Sequence, residues 1–147
     1  MSQESQSILM IYKDLDWSHF VDIKNNICTI DMENIEYELA QIAGIYTLWA
    51  GLQKLAKREL DREELDLTSW IAQTRKEHRG TSTSKMSDAY LTEYVQALEE
   101  YKERNEKVIE KEYKYKLLTS ITEGLHQKRD ALVQISSNKR AEAKIFN

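Results

Sequence analysis

Apolar side chains recur along this chain in steps of three and four. Ile35, Leu39, Ile42, Tyr46 and Trp49 keep that spacing without a miss, which puts them on one face of a helix. The stripe continues through Leu52, Ala56, Leu60, Leu67 and Ile71. Upstream, "TIDMEN" offers Asp31 as an N-cap and Glu33 to complement the helix dipole. A first long helical segment is therefore expected over 31–79, with Gly80 as its stop. Residues 80–88, "GTSTSKMSD", read as a loop, with Ser84 or Ser87 as the next N-cap and Asp88 in the following first turn. A second stripe follows through Leu91, Val95, Leu98, Tyr101, Val108, Tyr115, Leu118, Ile121, Leu125, Leu132 and Ile135. It predicts a second long segment over 88–140, with interruptions of the pattern at Asn105 and Glu112 where it could break.

Two such helices joined by a short loop fold back on each other. At 1.5 Å per residue, helices of about 45 residues would each span nearly 70 Å, leaving little core per residue. The N-terminal segment, 1–29, can cover part of the stripe through Leu9, Tyr12, Trp17, Phe20 and Ile23. A partner copy is expected to cover the rest. The expected fold is all-α: one domain over 1–147, a long antiparallel helical hairpin with an additional N-terminal helical segment, assembled into a homo-oligomer.

Composition agrees with long helices. The 147 residues include no proline and four glycines, and 31% are charged, whereas sheet proteins need frequent turns. A lone Cys28 excludes an intrachain disulfide and a multi-cysteine zinc site, and a reducing cytoplasm is the simplest compartment. The apolar run "ILMIY" is too short for a signal or membrane helix, so no membrane association is expected.

Charge is unevenly placed. The chain carries a net −4, and residues 1–50 hold two lysines against eight carboxylates, a net −6. Residues 71–85 reverse the sign: Arg75, Lys76, Arg79 and Lys85 face only Glu77. Residues 111–147 are also basic, with eight cations against four anions. Lys and Arg bind nucleic acid chiefly through phosphates, and single strands add stacking on aromatics. Trp70 and His78 flank Arg75 and could supply that stacking. The competing reading is a helix C-terminus that favours cations against its dipole, which covers Arg75, Lys76 and Arg79 but leaves Lys85 unexplained. Tyr113 and Tyr115 are read as core and interface residues.

Catalytic patterns are weak. Glu123-Gly-Leu-His126 has the E-x-x-H spacing of di-iron bundles, but such a site needs a second motif and two more carboxylates. Asp16-Trp-Ser-His19 is only a loose match. Cys28 lies between Ile27 and Thr29, a context for an inert thiol. No G-x-S-x-G and no glycine-rich phosphate loop occurs. No metal, no cofactor and no enzymatic activity are expected.

"IDMENIEYELAQIAGIYTLW" resembles the UvsY family of recombination mediators of T-even-type phages, through Ile30-Asp31, Tyr37-Glu38, Tyr46 and Trp49, with an ungapped register on to Glu59 and Gly80. An acidic second helix passing into a basic terminal one with "KRAEA" also fits that family's layout, so the resemblance spans roughly 30–142. It implies a small helical protein forming rings, such as hexamers or heptamers, that binds single-stranded DNA. Such a protein helps a RecA-like recombinase replace the single-strand-binding protein coating the strand. The family's C-terminal helix is associated with oligomerisation, which implies that role here for Leu118, Ile121, Leu125, Leu132 and Ile135. Its Lys-Ala-Arg-Leu-type DNA-binding element would place its basic positions at Ala72 and Thr74, and this chain carries Arg75 and Lys76 nearby instead.

The expected function is thus a non-enzymatic, single-strand DNA-binding recombination mediator in the host cytoplasm of a phage. Arg75, Lys76, Arg79 and Lys85 would contact phosphates, joined by Lys57, Arg58 and Arg62 further up the helix. The alternative is a helical structural or adaptor protein of a phage, or an inhibitor of a host complex, acting through protein–protein contacts.

Overall fold

The computed structural model describes residues 3–147 and is helical throughout, with no strand among the described residues. The helices are α1 (Gln3–Asp14), α2 (Phe20–Cys28), α3 (Ile35–Gly80), α4 (Asp88–Ala97) and α5 (Glu99–Phe146); a 3-10 turn, Trp17–His19, precedes α2. Two compact units result: Met1–Leu55 with Lys116–Asn147, and Ala56–Tyr115.

In the first unit the halves of α3 and α5 run antiparallel. Glu36 Oε1 accepts from Ser136 Oγ at 2.7 Å, while Gln53 Nε2 donates to Thr119 Oγ1 at 2.9 Å. The core between them holds Ile35, Ile42, Trp49, Leu52, Leu118, Ile121, Leu125 and Leu132. Tyr12 and Phe20 add a cluster with Trp17, which stacks on Phe20 and meets the Tyr12 edge. Two glycines let the N-terminal helices approach. A Cβ on Gly51 would stand 3.2 Å from Ile8, and one on Gly124 would stand 2.7 Å from Cys28 Sγ. Burial against α5 pushes the Cys28 thiol above its ordinary pKa, so it is a packing group rather than a thiolate.

The stripe expected at a subunit contact lies inside this packing. Leu118, Ile121, Leu125 and Leu132 are fully enclosed by the chain's own helices, and Ile135 is half-buried. The N-terminal helices join that enclosure through Ile8, Lys24 and Cys28.

A buried ion pair pins the connection between α2 and α3. Lys128 Nζ lies 2.8 Å from Glu38 Oε1 and 3.1 Å from the Ile27 carbonyl, and Glu38 Oε2 accepts the Asp31 N–H at 2.8 Å. Asp31 does not cap α3 as expected. Its carboxylate accepts from Glu33 N–H and from Asn34 Nδ2, forming a turn that delays the helix start to Ile35. Those bonds hold the Asp31 carboxyl below its ordinary pKa, the Asn34 amide most strongly.

In the second unit, Ala56 and Leu60 of α3 and Leu91 and Val95 of α4 are the buried apolar side chains. The second long segment does break, but at Leu98, whose extended ψ of 138° ends α4 before α5 restarts at Glu99. Asn105 and Glu112 are inside continuous helix, because polar contacts replace the missing apolar ones: the Arg104 guanidinium covers the Trp70 ring at 5.4 Å, and Lys111 pairs with Glu59 at 3.0 Å. No helix among the described residues is long and apolar enough to cross a membrane.

Candidate nucleic-acid interface

The basic residues of α3 fall into a pattern that spacing along the chain alone does not resolve. At about 100° per residue, Arg58, Arg62 and Lys76 lie within about 40° of one another on the helix. Lys57, Arg75 and Arg79 form an adjacent strip of similar width. All six belong to the second unit, and the arc they share faces away from buried Ala56 and Leu60. Between the two ends of this face stand Leu65, Thr68, Ser69 and Ala72, all exposed, three of them small. From Arg58 to Arg79 the face runs about 32 Å at 1.5 Å per residue.

Asp61 is the acidic residue within that arc, and Lys57 holds it at 2.8 Å; this contact raises the Lys57 pKa. Lys57 also lies over the Tyr115 ring at 5.6 Å. Arg58 and Arg62 are exposed and without a carboxylate partner among the described residues. The face therefore carries unpaired cations at its N-terminal end, Arg58 and Arg62, as well as at the helix C-terminus, and a helix-end effect confined to the last turn accounts only for the latter.

At the C-terminal end of α3, Arg75 and Arg79 converge on one oxygen. Asp88 Oδ1 accepts from Arg75 Nη2 at 3.0 Å and from Arg79 Nη2 at 2.7 Å. With Lys76 and Ala72 they line an open cleft of about 580 Å³. Lys85 is exposed on the connecting loop, and neither it nor Lys76 has a carboxylate partner among the described residues.

The loop itself is built by hydroxyls. Thr81 Oγ1 and Thr81 N–H both donate to the His78 carbonyl, at 2.7 and 3.2 Å. This closes the helix at Gly80, the expected stop, with no positive φ there. Ser87 caps α4 by accepting the Tyr90 N–H, with Asp88 in the first turn. Asp88 as a partner of the two arginines was missed. The signal was an aspartate placed just beyond a loop that folds α4 back beside the end of α3.

The aromatic side chains expected to stack on bases are engaged elsewhere. His78 stacks on Tyr94 with ring centres 3.6 Å apart and lies near Tyr90, whose hydroxyl is 3.2 Å from Nε2. Trp70 carries the Arg104 guanidinium on its face. Tyr113, expected in a core or interface, is exposed, and Tyr115 is half-buried. His126 of the E-x-x-H motif packs edge-on against Tyr46 at 4.8 Å. No group of three or more metal-ligating side chains occurs among the described residues. What the α3 face presents chemically is two groups of cations, Arg58 with Arg62 and Arg75 with Lys76 and Arg79, separated by small side chains.

Compared with known proteins, the chain matches no family model, no curated protein and no solved structure.

Proposed function

We propose that the protein is a non-enzymatic, single-strand DNA-binding recombination mediator that helps load a RecA-like recombinase onto strand coated by single-strand-binding protein. The observation that carries strand binding is the outer face of α3, where Arg58, Arg62, Arg75, Lys76 and Arg79 share one arc with small side chains between them. Phosphates would run along this face, and Lys85 would reach the strand from the loop. Because Trp70 and His78 are engaged by Arg104 and Tyr94, binding depends on phosphate contacts and is strongly salt-sensitive. The mediator role itself is supported by the resemblance of residues 30–142 to the UvsY family.

Self-association into a ring, and action in the host cytoplasm, belong to the same proposal. With the α5 stripe enclosed, exposed apolar side chains that could serve such contacts include Met10, Ile11 and Val21 on α1 and α2, Val133 on α5, and Ile145 and Phe146 at its end. The same exposed side chains favour a second reading, a helical adaptor or inhibitor working through protein contacts alone.

Charge reversal separates the two. R75E/R79E should lose most of its affinity for labelled oligo-dT in fluorescence anisotropy while keeping its mass in multi-angle light scattering. Normal binding by that variant would contradict the assignment. For the mediator step, the protein should restore the strand-dependent ATPase of a RecA-like recombinase on coated strand, and R75E/R79E should not.

A further inference from the structure

We infer that Arg75 and Arg79 form a phosphate site whose occupant in the free protein is the chain's own Asp88 carboxylate. The inference rests on the strand-binding reading and adds to it a residue of opposite sign, one whose removal strengthens binding.

Two guanidiniums donating to one carboxylate oxygen, at 2.7 and 3.0 Å, is the arrangement the same pair would use on a non-bridging phosphate oxygen. Arg75 and Arg79 are one turn apart on α3, so both reach the same point without strain. The Asp88 side chain is 81% exposed. An ion pair so open to water contributes little and exchanges readily for a better anion. Lys76 lines the same cleft without a carboxylate partner among the described residues, so it stays available to attract the incoming group. The cleft, about 580 Å³, is large enough to admit a phosphodiester.

Asp88 is not required to start α4, since Ser87 already accepts the Tyr90 N–H. Its carboxylate is therefore free to act on the arginines. It offsets one of their two positive charges while no strand is present and must swing away when a phosphate arrives. A lone weak anion does not displace it easily, whereas a polyanion also held by Arg58 and Arg62 does. Asp88 thus raises the threshold for binding and favours a continuous strand over small phosphates.

The test compares the full-length chain with D88N, which keeps side-chain size and the Ser87 cap. Anisotropy with labelled oligo-dT at one fixed salt concentration should show D88N binding about threefold to tenfold more tightly, the effect of releasing two exposed pairs. In an R75A/R79A background, D88N should change nothing. A second arm titrates inorganic pyrophosphate while following the Arg75 and Arg79 side-chain N–H resonances, which should shift at lower concentration in D88N. Equal or weaker oligo-dT binding by D88N, where the wild type binds, overturns the inference and makes Asp88 a residue that positions the arginines. If neither protein binds oligo-dT, the strand reading fails and the pyrophosphate arm decides the site alone. Resonance shifts at lower pyrophosphate concentration in D88N then keep a phosphate ligand of another source, and the absence of any shift removes the site.

Discussion

Replacing Lys128 by methionine removes a charge from the interior while nearly keeping the side chain's volume. Its side chain is 5% exposed, and its ammonium serves both Glu38 and the Ile27 carbonyl. In K128M, Glu38 keeps the Asp31 N–H but loses its counter-charge, at a site where its own side chain is 18% exposed. Breaking a buried pair from one side costs about 3–5 kcal/mol. Residual access of Glu38 to water argues for the lower end, about 3 kcal/mol. Loss of the donor to Ile27 adds to the disturbance where α2 leads into α3. The double variant E38Q/K128M removes the stranded charge and should recover about half the loss or more. Urea unfolding, followed by far-UV circular dichroism and by tryptophan fluorescence, measures all three differences. A K128M change within about 0.5 kcal/mol, the range of ordinary surface substitutions, would refute the claim that this pair is buried and pins the connection.

Three further outcomes are expected. G44A should stabilise by up to about 1 kcal/mol, because nothing lies within 4 Å of a Cβ there; G124A should not, because Cys28 Sγ blocks it, and C28A should restore the gain, all read from unfolding midpoints. The Asp16–His19 contact predicts a pH signature: Asp16 accepts from Ser18 and His19, which lowers its pKa to about 2, and the same contact raises His19 above 6.5. The His19 contribution is complete below the ordinary histidine value and is lost as pH rises through its elevated folded value; that of Asp16 is present above about 3.8 and lost as pH falls toward about 2. Histidine titration by NMR should show His19 elevated and D16N returning it to normal; an unshifted His19 in the wild type would contradict the contact. S87A should cost about 1 kcal/mol, the usual worth of an N-cap, and hydrogen exchange at Tyr90 should quicken.

Helicity and antiparallel pairing were legible because the three-and-four spacing is long and few glycines interrupt it. The boundary errors have local causes. Asp31 satisfies its own turn rather than the helix; at the other end α3 does stop at Gly80, with Thr81 bonding back to the His78 carbonyl. The break at Leu98 carries no proline or glycine, so no local residue type announced it. Asn105 and Glu112 looked like interruptions because cation–ring and salt-bridge contacts are invisible to an apolar count. The apolar stripe of α5 was legible as surface to be covered and was expected at a subunit contact; that α2 lies against this helix, through Cys28 at Gly124 and Lys24 at Ser120, rests on contacts distant in sequence. Similarly, the basic residues of α3 could be found by composition. Their common face required the helix to run unbroken from Lys57 to Arg79, and Asp88 required the fold-back of α4.

The central claim, that the α3 face binds a single strand through phosphates, is tested most directly by titrating labelled oligo-dT with the protein across a salt series. Four to six cations engaged at about −0.7 per phosphate predict a log–log slope of about −3 to −4, close to a hundredfold loss of affinity between about 50 and 200 mM salt. R58E/R62E should flatten that slope by about one or more. A slope near zero, or no binding at the lowest salt, would contradict the account.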